Sequence, residues 1–291
     1  MSIEVKSIEG SVTGVSIGFS ALDRTTGGFQ KSDLIIVGGR PGMGKTAVAL
    51  NFALNAAIAG RRESGKDSTP VPTAFFSLEM NADQVRRRLL CQLGRHDIQE
   101  LRAGRQSDED IKTMTANAEL LNNSPIFIDD ARSLSPNELS AKAGRLKSRL
   151  KSSERNLDLG LIIVDYLQLM RTDVSHNNRK QEIREISGAL KSLAEELSVP
   201  VIALSQLRRY SDPAPSFSDF REDASIVQDA DLVMFVVRPE LLKKDDPSLK
   251  GKAELRITKN RSGPTGAVSL HFIAESVSFV PHTRFEPLVD L

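Results

Sequence analysis

Short apolar runs rich in β-branched residues alternate along the chain with longer amphipathic stretches of helical periodicity. We predict strands at six of these runs: Leu34–Val37, Thr73–Leu78, Pro125–Asp129, Leu161–Val164, Val201–Leu204 and Leu232–Val237. The run at 161–164 is apolar at every position, which favours a strand at the sheet centre, covered on both faces. Strands that alternate with helices in this way are typical of βαβ units. The pattern therefore predicts an α/β fold with a mostly parallel central sheet flanked by helices.

Polar residues mark where several of the helices begin. Ser135, Pro136 and Glu138 combine a serine cap, a proline at the first helical position and a capping-box glutamate. Ser107 precedes three acidic residues, which favour the positive end of a helix dipole. Further helices are predicted from about Lys45 to Ala59, from near Asn81 to Leu93, and from the end of a polar loop, Arg171–Lys180, to about Leu197.

The C-terminal part of the chain follows a different pattern. Two runs, Ala253–Thr258 and Ala267–Phe272, are separated by a turn that contains two glycines and a proline. Strand-like runs joined by such a turn indicate a β-hairpin. We expect this hairpin to extend the sheet in the antiparallel direction.

Composition narrows the range of possible functions. The chain has 291 residues, of which 40% are hydrophobic and 26% charged, values usual for a globular protein with a sizeable core. The net charge of +1 gives no overall attraction to nucleic acids or membranes, so such contacts need local basic patches. Cys91 is the only cysteine, which excludes an intrachain disulfide and favours a buried thiol. The N-terminus lacks a signal-peptide pattern and the longest apolar runs are too short to cross a bilayer, so we expect a cytoplasmic protein without a membrane partner.

The turn after the first predicted strand carries the strongest chemical signal. It reads Gly39, Arg40, Pro41, Gly42, Met43, Gly44, Lys45 and Thr46. This matches the P-loop pattern G-x-x-x-x-G-K-[ST], with a strand before it and a helix after it. The glycines let main-chain N–H groups curl around phosphate oxygens, and the helix N-terminus adds positive charge. Lys45 is expected to reach the β- and γ-phosphates and the Thr46 hydroxyl to bind Mg²⁺, so the motif predicts a site for ATP and Mg²⁺.

Three further candidates follow predicted strands. Asp165 ends the all-apolar strand, where the carboxyl ends of parallel strands open onto a ligand crevice, and it is our candidate Walker B metal ligand. Glu79 follows the second strand, and its apolar neighbours lead us to expect partial desolvation and a role as the base that activates water. From spacing alone, a favourable charge at the next helix N-terminus explains Glu79 equally well. Gln206 follows the strand predicted at Val201–Leu204 and could donate a hydrogen bond to a γ-phosphate.

These segments together resemble a known family. The chain is similar to the C-terminal motor domain of DnaB-type replicative DNA helicases, within the RecA-like ATPases, from about Val15 to Phe272. The resemblance rests on blocks in the same order along the chain: Ser32–Val37, Arg40–Thr46, Phe76–Met80, Val164–Met170, Pro200–Leu207, Gln228–Asp231, Val233–Phe235 and Asn260–Gly266.

The resemblance implies specific roles for residues that spacing alone leaves open. Glu79 matches the catalytic glutamate, Gln206 the γ-phosphate sensor and Arg88 an arginine that lines the nucleotide pocket. Lys259 and Arg261, at the predicted hairpin tip, match a catalytic pair inserted into the site of the neighbouring subunit. From the residues alone, a solvent-exposed hairpin tip would explain this pair as well.

The resemblance also implies that single-stranded DNA is bound in the central channel of a hexameric ring. Two segments match the DNA-binding loops: Arg171–Arg184, with Arg179 and Lys180, and Phe220–Ser225, with Arg221, Glu222 and Ala224. Family members usually read Arg-Glu-Ser-Gly in the second loop, whereas this chain reads Arg-Glu-Asp-Ala. Aromatic residues make up 5% of the chain and tryptophan is absent, so contacts to phosphates would have to dominate over base stacking.

We therefore expect an ATP-dependent helicase motor at residues 15–291, preceded by a linker remnant at residues 1–14. The chain would be either a fragment or a naturally short relative, with a primase or a helicase loader as further partners. Two alternatives stay open: another RecA-like DNA-dependent ATPase, or a nucleotide-gated loading or scaffold module without unwinding activity. A small-molecule kinase is a more distant alternative.

Overall fold

One large sheet organises the structure. The computed structural model describes residues 12–58, 69–173, 176, 178–207 and 225–282. In this part of the chain the strands are β1 Leu34–Gly39, β2 Thr73–Ser77, β3 Ile126–Asp129, β4 Leu161–Asp165, β5 Val201–Gln206, β6 Leu232–Val237, β7 Lys252–Asn260, β8 Gly266–Ile273 and β9 Ser278–Pro281. They lie in the order β3-β2-β4-β5-β1-β6-β7-β8-β9, parallel from β3 to β6 and antiparallel from there to β9.

Helices cover both faces of the parallel part. They are α1 Ser20–Thr26, α2 Lys45–Ala57, α3 Ala82–Gly94, α4 Ile98–Ala103, α5 Asp108–Asn123, α6 Pro136–Lys151, α7 Arg179–Leu197, α8 Ser225–Asp229 and α9 Pro239–Leu242, with 3₁₀ turns at Leu167–Leu169 and Pro247–Leu249. Neighbouring residues of β1 face opposite sides of the sheet, as the pleat requires. Ile35 packs with α2 in one apolar cluster, whereas Ile36 packs with α6 and α7 in the other.

The predicted α/β fold is confirmed, and so are the six parallel strands and the C-terminal hairpin. The predicted caps are also present: Ser107 and Ser135 each accept from the backbone N–H three residues on, in complete capping boxes. The predicted loop at Arg171–Lys180 ends earlier than expected. The Asn178 side chain caps α7 by accepting from the Lys180 N–H, so this helix already begins at Arg179.

Buried asparagines connect α2 to the two ends of the described chain. Every residue of α2 from Ala47 to Ala57 is buried. The Asn51 Oδ1 accepts from the Phe279 N–H of β9 at 2.8 Å, and the Asn55 Nδ2 donates to the Ile17 carbonyl at 2.9 Å. Because a buried amide without partners would cost about 1–3 kcal/mol, these bonds fix where both segments cross the helix.

Register places the carboxyl ends of four parallel strands side by side. Ser77 of β2 pairs with Asp165 of β4, and Gly39 of β1 pairs with Gln206 of β5. The Leu78 N–H then donates to the Asp165 carbonyl at 2.7 Å, which continues the alignment past the end of β2. The residues predicted to act on the nucleotide therefore emerge along one edge of the sheet.

Candidate functional site

The P-loop joins β1 to α2 through backbone conformations that glycine favours. Gly42 and Gly44 have φ values of 83° and 97°. A Cβ atom on Gly44 would also lie 2.8 Å from the ring of Phe279, so β9 backs the loop directly. The Lys45 ammonium donates to the Gly39 carbonyl at 2.8 Å and to the Arg40 carbonyl at 3.4 Å. The turn therefore has the tight curl that the motif predicts.

Lys45 and Asp165 face each other beneath the loop. Burial lowers the pKa of Lys45, and the charges of Asp165 and Glu79 act in the opposite direction. Asp165 is 1% exposed, and burial raises its pKa to about 6 even though the Thr46 hydroxyl donates to it. Its Oδ2 has no hydrogen-bond partner among the described residues. A buried carboxylate oxygen left in this state is suited to a ligand that brings positive charge.

The donor atoms at this position fit Mg²⁺. A carboxylate and a hydroxyl are hard oxygen ligands, the type this ion prefers. In the described ranges no group of three or more His, Cys, Asp or Glu side chains could hold a metal. An ion held by Asp165 and Thr46 would thus take its other ligands from phosphates and water, which is the usual arrangement for Mg²⁺ at nucleotide sites.

Glu79 and Arg88 lie on the opposite wall of the same pocket. Glu79 is exposed, so our expectation that it is partly desolvated is wrong for this chain by itself. Leu78 is buried, whereas Glu79 lies in the bend that follows β2 with its side chain exposed. Arg88, on α3, is more enclosed; burial lowers its pKa, and its Nε has no hydrogen-bond partner in the described part of the chain.

Gln206 is held by a neighbour that the sequence did not single out as a functional residue. The Gln168 Oε1 accepts from the Gln206 N–H at 3.1 Å, and the Gln168 Nε2 donates to the Ser205 hydroxyl at 2.9 Å. These bonds fix the backbone at the end of β5 and leave the Gln206 side chain at the pocket. Gln168 belongs to the block Val164–Met170 and follows Asp165 by three residues, which is the signal that could have identified it.

These residues surround a cavity of about 360 Å³. Its lining comprises Pro41, Gly42, Gly44, Lys45, Thr46, Ala47, Glu79, Met80, Arg88, Asp165, Tyr166, Gln206, Arg238, Phe272 and Val277. Sites for small ligands typically enclose about 300–1,000 Å³, so a nucleotide fits this space. Of the predicted P-loop residues, Gly39, Arg40 and Met43 shape the turn without lining the cavity.

Arg238 and Phe272 form a wall that sequence reasoning missed. The Arg238 guanidinium lies 3.6 Å from the centroid of the Phe272 ring, and it pairs with Glu240. The Arg238 N–H also contacts the Met43 sulfur at 3.4 Å, which joins this wall to the P-loop. Arg238 follows the carboxyl end of a parallel strand, the same position that identified Asp165, so the signal was present in the sequence.

Lys259 and Arg261 do not line the cavity of their own chain. The Lys259 ammonium donates to the Val227 carbonyl at 2.6 Å and to the Gln228 carbonyl at 3.2 Å, at the end of α8. Arg261 donates from Nη1 to Asp231 Oδ1 at 2.9 Å, and its side chain is 53% exposed. This placement is compatible with a role in a neighbouring copy, and that role stays a prediction.

The predicted DNA-binding residues are only partly described. Arg221, Glu222 and Ala224 lie outside the described residues. Arg179 does not present a free guanidinium: it pairs with Glu182 and donates to the backbone carbonyls of Gln168 and Met170. Lys180 is exposed in the first turn of α7, and its DNA contact stays a prediction.

A second cavity of about 410 Å³ lies between β2, β3 and α6. Lys142, Arg145 and Arg149 line it, over an apolar floor that includes Phe127. Lys142 bonds both oxygens of Asp129, at 2.6 and 2.8 Å. This cavity contains none of the predicted site residues.

Comparisons with known proteins show the family to which the chain belongs. The family described as "DnaB-like helicase C terminal domain" matches residues 14–281. The "Replicative DNA helicase DnaB" of Geobacillus stearothermophilus is 46% identical over 277 residues, which cover 94% of this chain and 57% of that protein. The "Replicative DNA helicase DnaC" of Bacillus subtilis is 45% identical with the same coverage. The chain thus spans little more than half the length of these relatives.

Solved structures share the fold over almost the whole chain. One of them, an ATPase domain, has a TM-score of 0.85 and 35% identity, and the match covers 96% of this chain and 95% of that one. Another, described as a DnaB-like replicative helicase and its interactions with primase, has the same TM-score and identity, over 96% of this chain and 64% of the other. No described helix is both long and apolar enough to cross a membrane.

Proposed function

The chain belongs to the family of DnaB-like helicase C-terminal domains, and on that premise we propose that it is an ATP-hydrolysing motor that moves on single-stranded DNA and separates duplex. The motor domain would comprise residues 15–291, with residues 1–14 as a linker. The observation that carries the proposal is the pairing of a curled P-loop with a buried, incompletely bonded Asp165 at the same sheet edge.

In the proposed reaction each residue of the pocket has a distinct task. The P-loop amides and Lys45 bind the phosphates, while Thr46 and Asp165 hold Mg²⁺, which when bound would neutralise phosphate charge. Glu79 orients the attacking water and accepts its proton. Gln206 donates a hydrogen bond to the γ-phosphate.

The exposed position of Glu79 supports a site completed by a second copy of the chain. In a homo-hexameric ring, Lys259 and Arg261 of one copy would enter the pocket of the next and cover Glu79. An arginine supplied in this way stabilises charge in the transition state and raises the rate about 10³–10⁵-fold in comparable nucleotidases. The base of the nucleotide would lie against Arg238 and Phe272.

For the DNA we propose contacts from Lys180 and from the segment at Arg221. Contacts to phosphates release counterions, so affinity should fall with salt, with a log–log slope of about −0.7 per phosphate contacted. Contacts with a primase or a helicase loader, and a cytoplasmic location beside replicating DNA, are part of the same proposal.

The test is to measure molar mass, ATPase rate and strand displacement on the same protein, with and without single-stranded DNA. We expect DNA to stimulate ATPase, nucleotide to promote ring formation, and rings to displace a strand, with Lys45→Ala inactive in the ATPase and strand-displacement assays. A ring whose ATPase is indifferent to DNA and which displaces no strand would instead be a different RecA-like ATPase. Nucleotide-dependent DNA binding with negligible turnover would identify a loading or scaffold module.

A further inference from the structure

A cluster of charged groups lies at the turn end of the hairpin formed by β7 and β8, beside the first residue of β1, whereas Asp165 lies at the carboxyl end of β4. Its centre is Asp231, which directly precedes β6 and whose side chain is 10% exposed. Its Oδ2 accepts from the Leu34 N–H at 2.9 Å and from the Lys191 ammonium at 2.8 Å. Its Oδ1 accepts from Arg261 at 2.9 Å.

Asp231 is itself rigidly placed. The Leu34 N–H belongs to the first residue of the buried strand β1, and Lys191 lies in the middle of α7, where it also donates to the Ser32 carbonyl at 2.9 Å. Other charged neighbours among the described residues are Glu195, which pairs with Lys191 at 3.3 Å, and Lys259. A further one is Asp33, whose pKa is raised to about 6 by burial and by the charge of Asp231. For Asp231, burial would raise the pKa, but the hydrogen bonds from Lys191, Leu34 and Arg261 outweigh burial and lower it.

Asp231 contacts both the backbone and the side chain of Arg261. The Arg261 backbone N–H donates to the Asp231 carbonyl at 2.9 Å, and the Arg261 side chain donates to the Asp231 carboxylate. The guanidinium has five N–H donors, and the second contact, from Nη2 to the Gln228 carbonyl at 3.4 Å, is long. Among the described residues these contacts use two of the five donors, and the side chain is 53% exposed.

We propose that Asp231 is a positioning residue for Arg261: it holds the exposed guanidinium in the orientation from which it enters the nucleotide pocket of the neighbouring copy. This inference rests on the proposed trans role of Arg261. A guanidinium that is already held in place loses little side-chain entropy when it meets the phosphates. More of its interaction free energy therefore stabilises the transition state.

The geometry favours a positioning contact over a contact that withholds Arg261. An ion pair of which one partner is half exposed is weak, too weak to keep the arginine out of a neighbouring pocket. Lys259, on the same strand, is tied to the α8 carbonyls, so both cations project from one fixed corner.

The experiment measures ATPase of Asp231→Asn alone and in rings mixed with Lys45→Ala. Asparagine keeps an oxygen for the Leu34 N–H but removes the charge that orients Arg261. We expect kcat to fall about 2- to 5-fold, because the ion pair that is lost is weak, while KM for ATP stays close to the wild-type value because the P-loop of each copy is unchanged. In mixed rings the Lys45→Ala copies supply a correctly held Arg261 to the intact P-loops of their partners, so activity should recover.

A mixture of Asp231→Asn with Arg261→Ala should recover nothing, because neither copy supplies a working arginine. Asp129→Asn is the matched control: it removes another partly buried carboxylate that pairs with a lysine, and we expect wild-type kcat. Asp231→Glu retains the charge in case the asparagine variant unfolds, and it displaces the carboxylate by one methylene, so we expect an intermediate kcat with the same recovery in mixed rings.

The outcomes separate this inference from the proposed function. If Arg261→Ala and Lys45→Ala fail to restore each other in mixed rings, the trans role falls and the positioning role falls with it. If that pair restores activity but Asp231→Asn keeps wild-type kcat, or gains activity, only the positioning role is overturned. Loss of activity that Lys45→Ala copies cannot restore would assign Asp231 a purely structural role.

Discussion

The nucleotide pocket and the cluster around Asp231 both bring acidic and basic side chains together. Only in the cluster are both oxygens of the central carboxylate hydrogen-bonded by described residues. In the pocket, Asp165 and Arg88 each retain a buried atom without a hydrogen-bond partner among the described residues. In the cluster, both oxygens of Asp231 are bonded, by Leu34, Lys191 and Arg261. The cluster lies beside the first residue of β1, whereas the pocket lies at the carboxyl end of that strand.

The difference shows what each set of charges is for. A buried polar group that the chain leaves incompletely bonded costs free energy in the unliganded protein, and a ligand can recover that cost. A fully bonded carboxylate instead fixes the elements that surround it. We therefore expect substitutions in the pocket to reduce function while sparing or raising stability, and substitutions in the cluster to lower stability.

The largest effect is expected for Glu79→Gln. Because the amide cannot accept a proton from water, hydrolysis should fall about 10²–10⁴-fold. ATP affinity should be retained, because Glu79 is exposed at the rim of the pocket. Single-turnover hydrolysis and nucleotide titration measure the two quantities, with Lys45→Ala as the variant that loses binding. An equal loss of binding in both variants would argue against Glu79 as the base.

Asp165→Asn should stabilise the unliganded protein. The pKa of Asp165 is raised from 3.8 to about 6, so the folded state holds the proton more tightly than the unfolded state does. The resulting stabilisation is complete below about pH 4 and is lost as the pH rises through about 6. Near pH 8 the charged carboxylate then costs up to about 3 kcal/mol, which asparagine removes.

Urea denaturation without nucleotide or Mg²⁺, at about pH 4 and about pH 8, measures this effect. We expect a gain in the free energy of unfolding only at the higher pH, together with loss of Mg²⁺-dependent hydrolysis. A variant that is less stable than the wild type at about pH 8 would mean that Asp165 is satisfied within the chain, and the contrast between the two sites would disappear.

Lys191→Met should destabilise the protein, the opposite of the effect expected for Asp165→Asn. It leaves Asp231 with one partner fewer at a largely buried position, and we expect the free energy of unfolding to fall by about 1–3 kcal/mol near neutral pH. The pKa of Asp231 is lowered in the folded protein, so its stabilising contribution is present above its unfolded value and is lost as the pH falls. The deficit of the variant should therefore shrink in acid, which the same denaturation series would detect.

Arg238→Ala is expected to have the smallest effect and tests the wall that Arg238 forms with Phe272. In the proposed pose Arg238 lies against the aromatic base, and a cation over an aromatic ring contributes about 0.5–2 kcal/mol, so ATP affinity should fall about 3- to 30-fold. Binding of inorganic triphosphate should fall less, because it has no base to contact Arg238. Calorimetry with both ligands distinguishes the two, and equal losses would place Arg238 at the phosphates.

The parts of the fold that follow from local chemistry could be predicted from the sequence. The apolar run at Leu161–Val164 had to be covered on both faces, and Ser135-Pro136 had to start a helix, because each signal is complete within a few residues. The helices α1 and α4 were missed because segments of seven and six residues are too short to display a helical period.

The candidate site was predictable where a residue follows a parallel strand, as Asp165 and Gln206 do. Arg238 also follows a parallel strand, so the same rule could have identified it. Phe272 was missed because it belongs to the antiparallel part of the sheet, and pairing between distant segments is not visible in local pattern. The partners of Arg179 were not predicted for a related reason: two of them are backbone carbonyls, which any residue provides, and its role in DNA binding stays a prediction.

The last described strand, β9, limits where the chain can be truncated. Phe279 lies under Gly44 and donates its N–H to Asn51, so the ATP-binding turn rests on residues that are more than two hundred positions away. A truncation after Ile273 would keep every residue of the P-loop motif but would remove the β9 residues that pack against it. A search for the P-loop motif would still match such a fragment, although its phosphate-binding loop would have lost the contacts that support it.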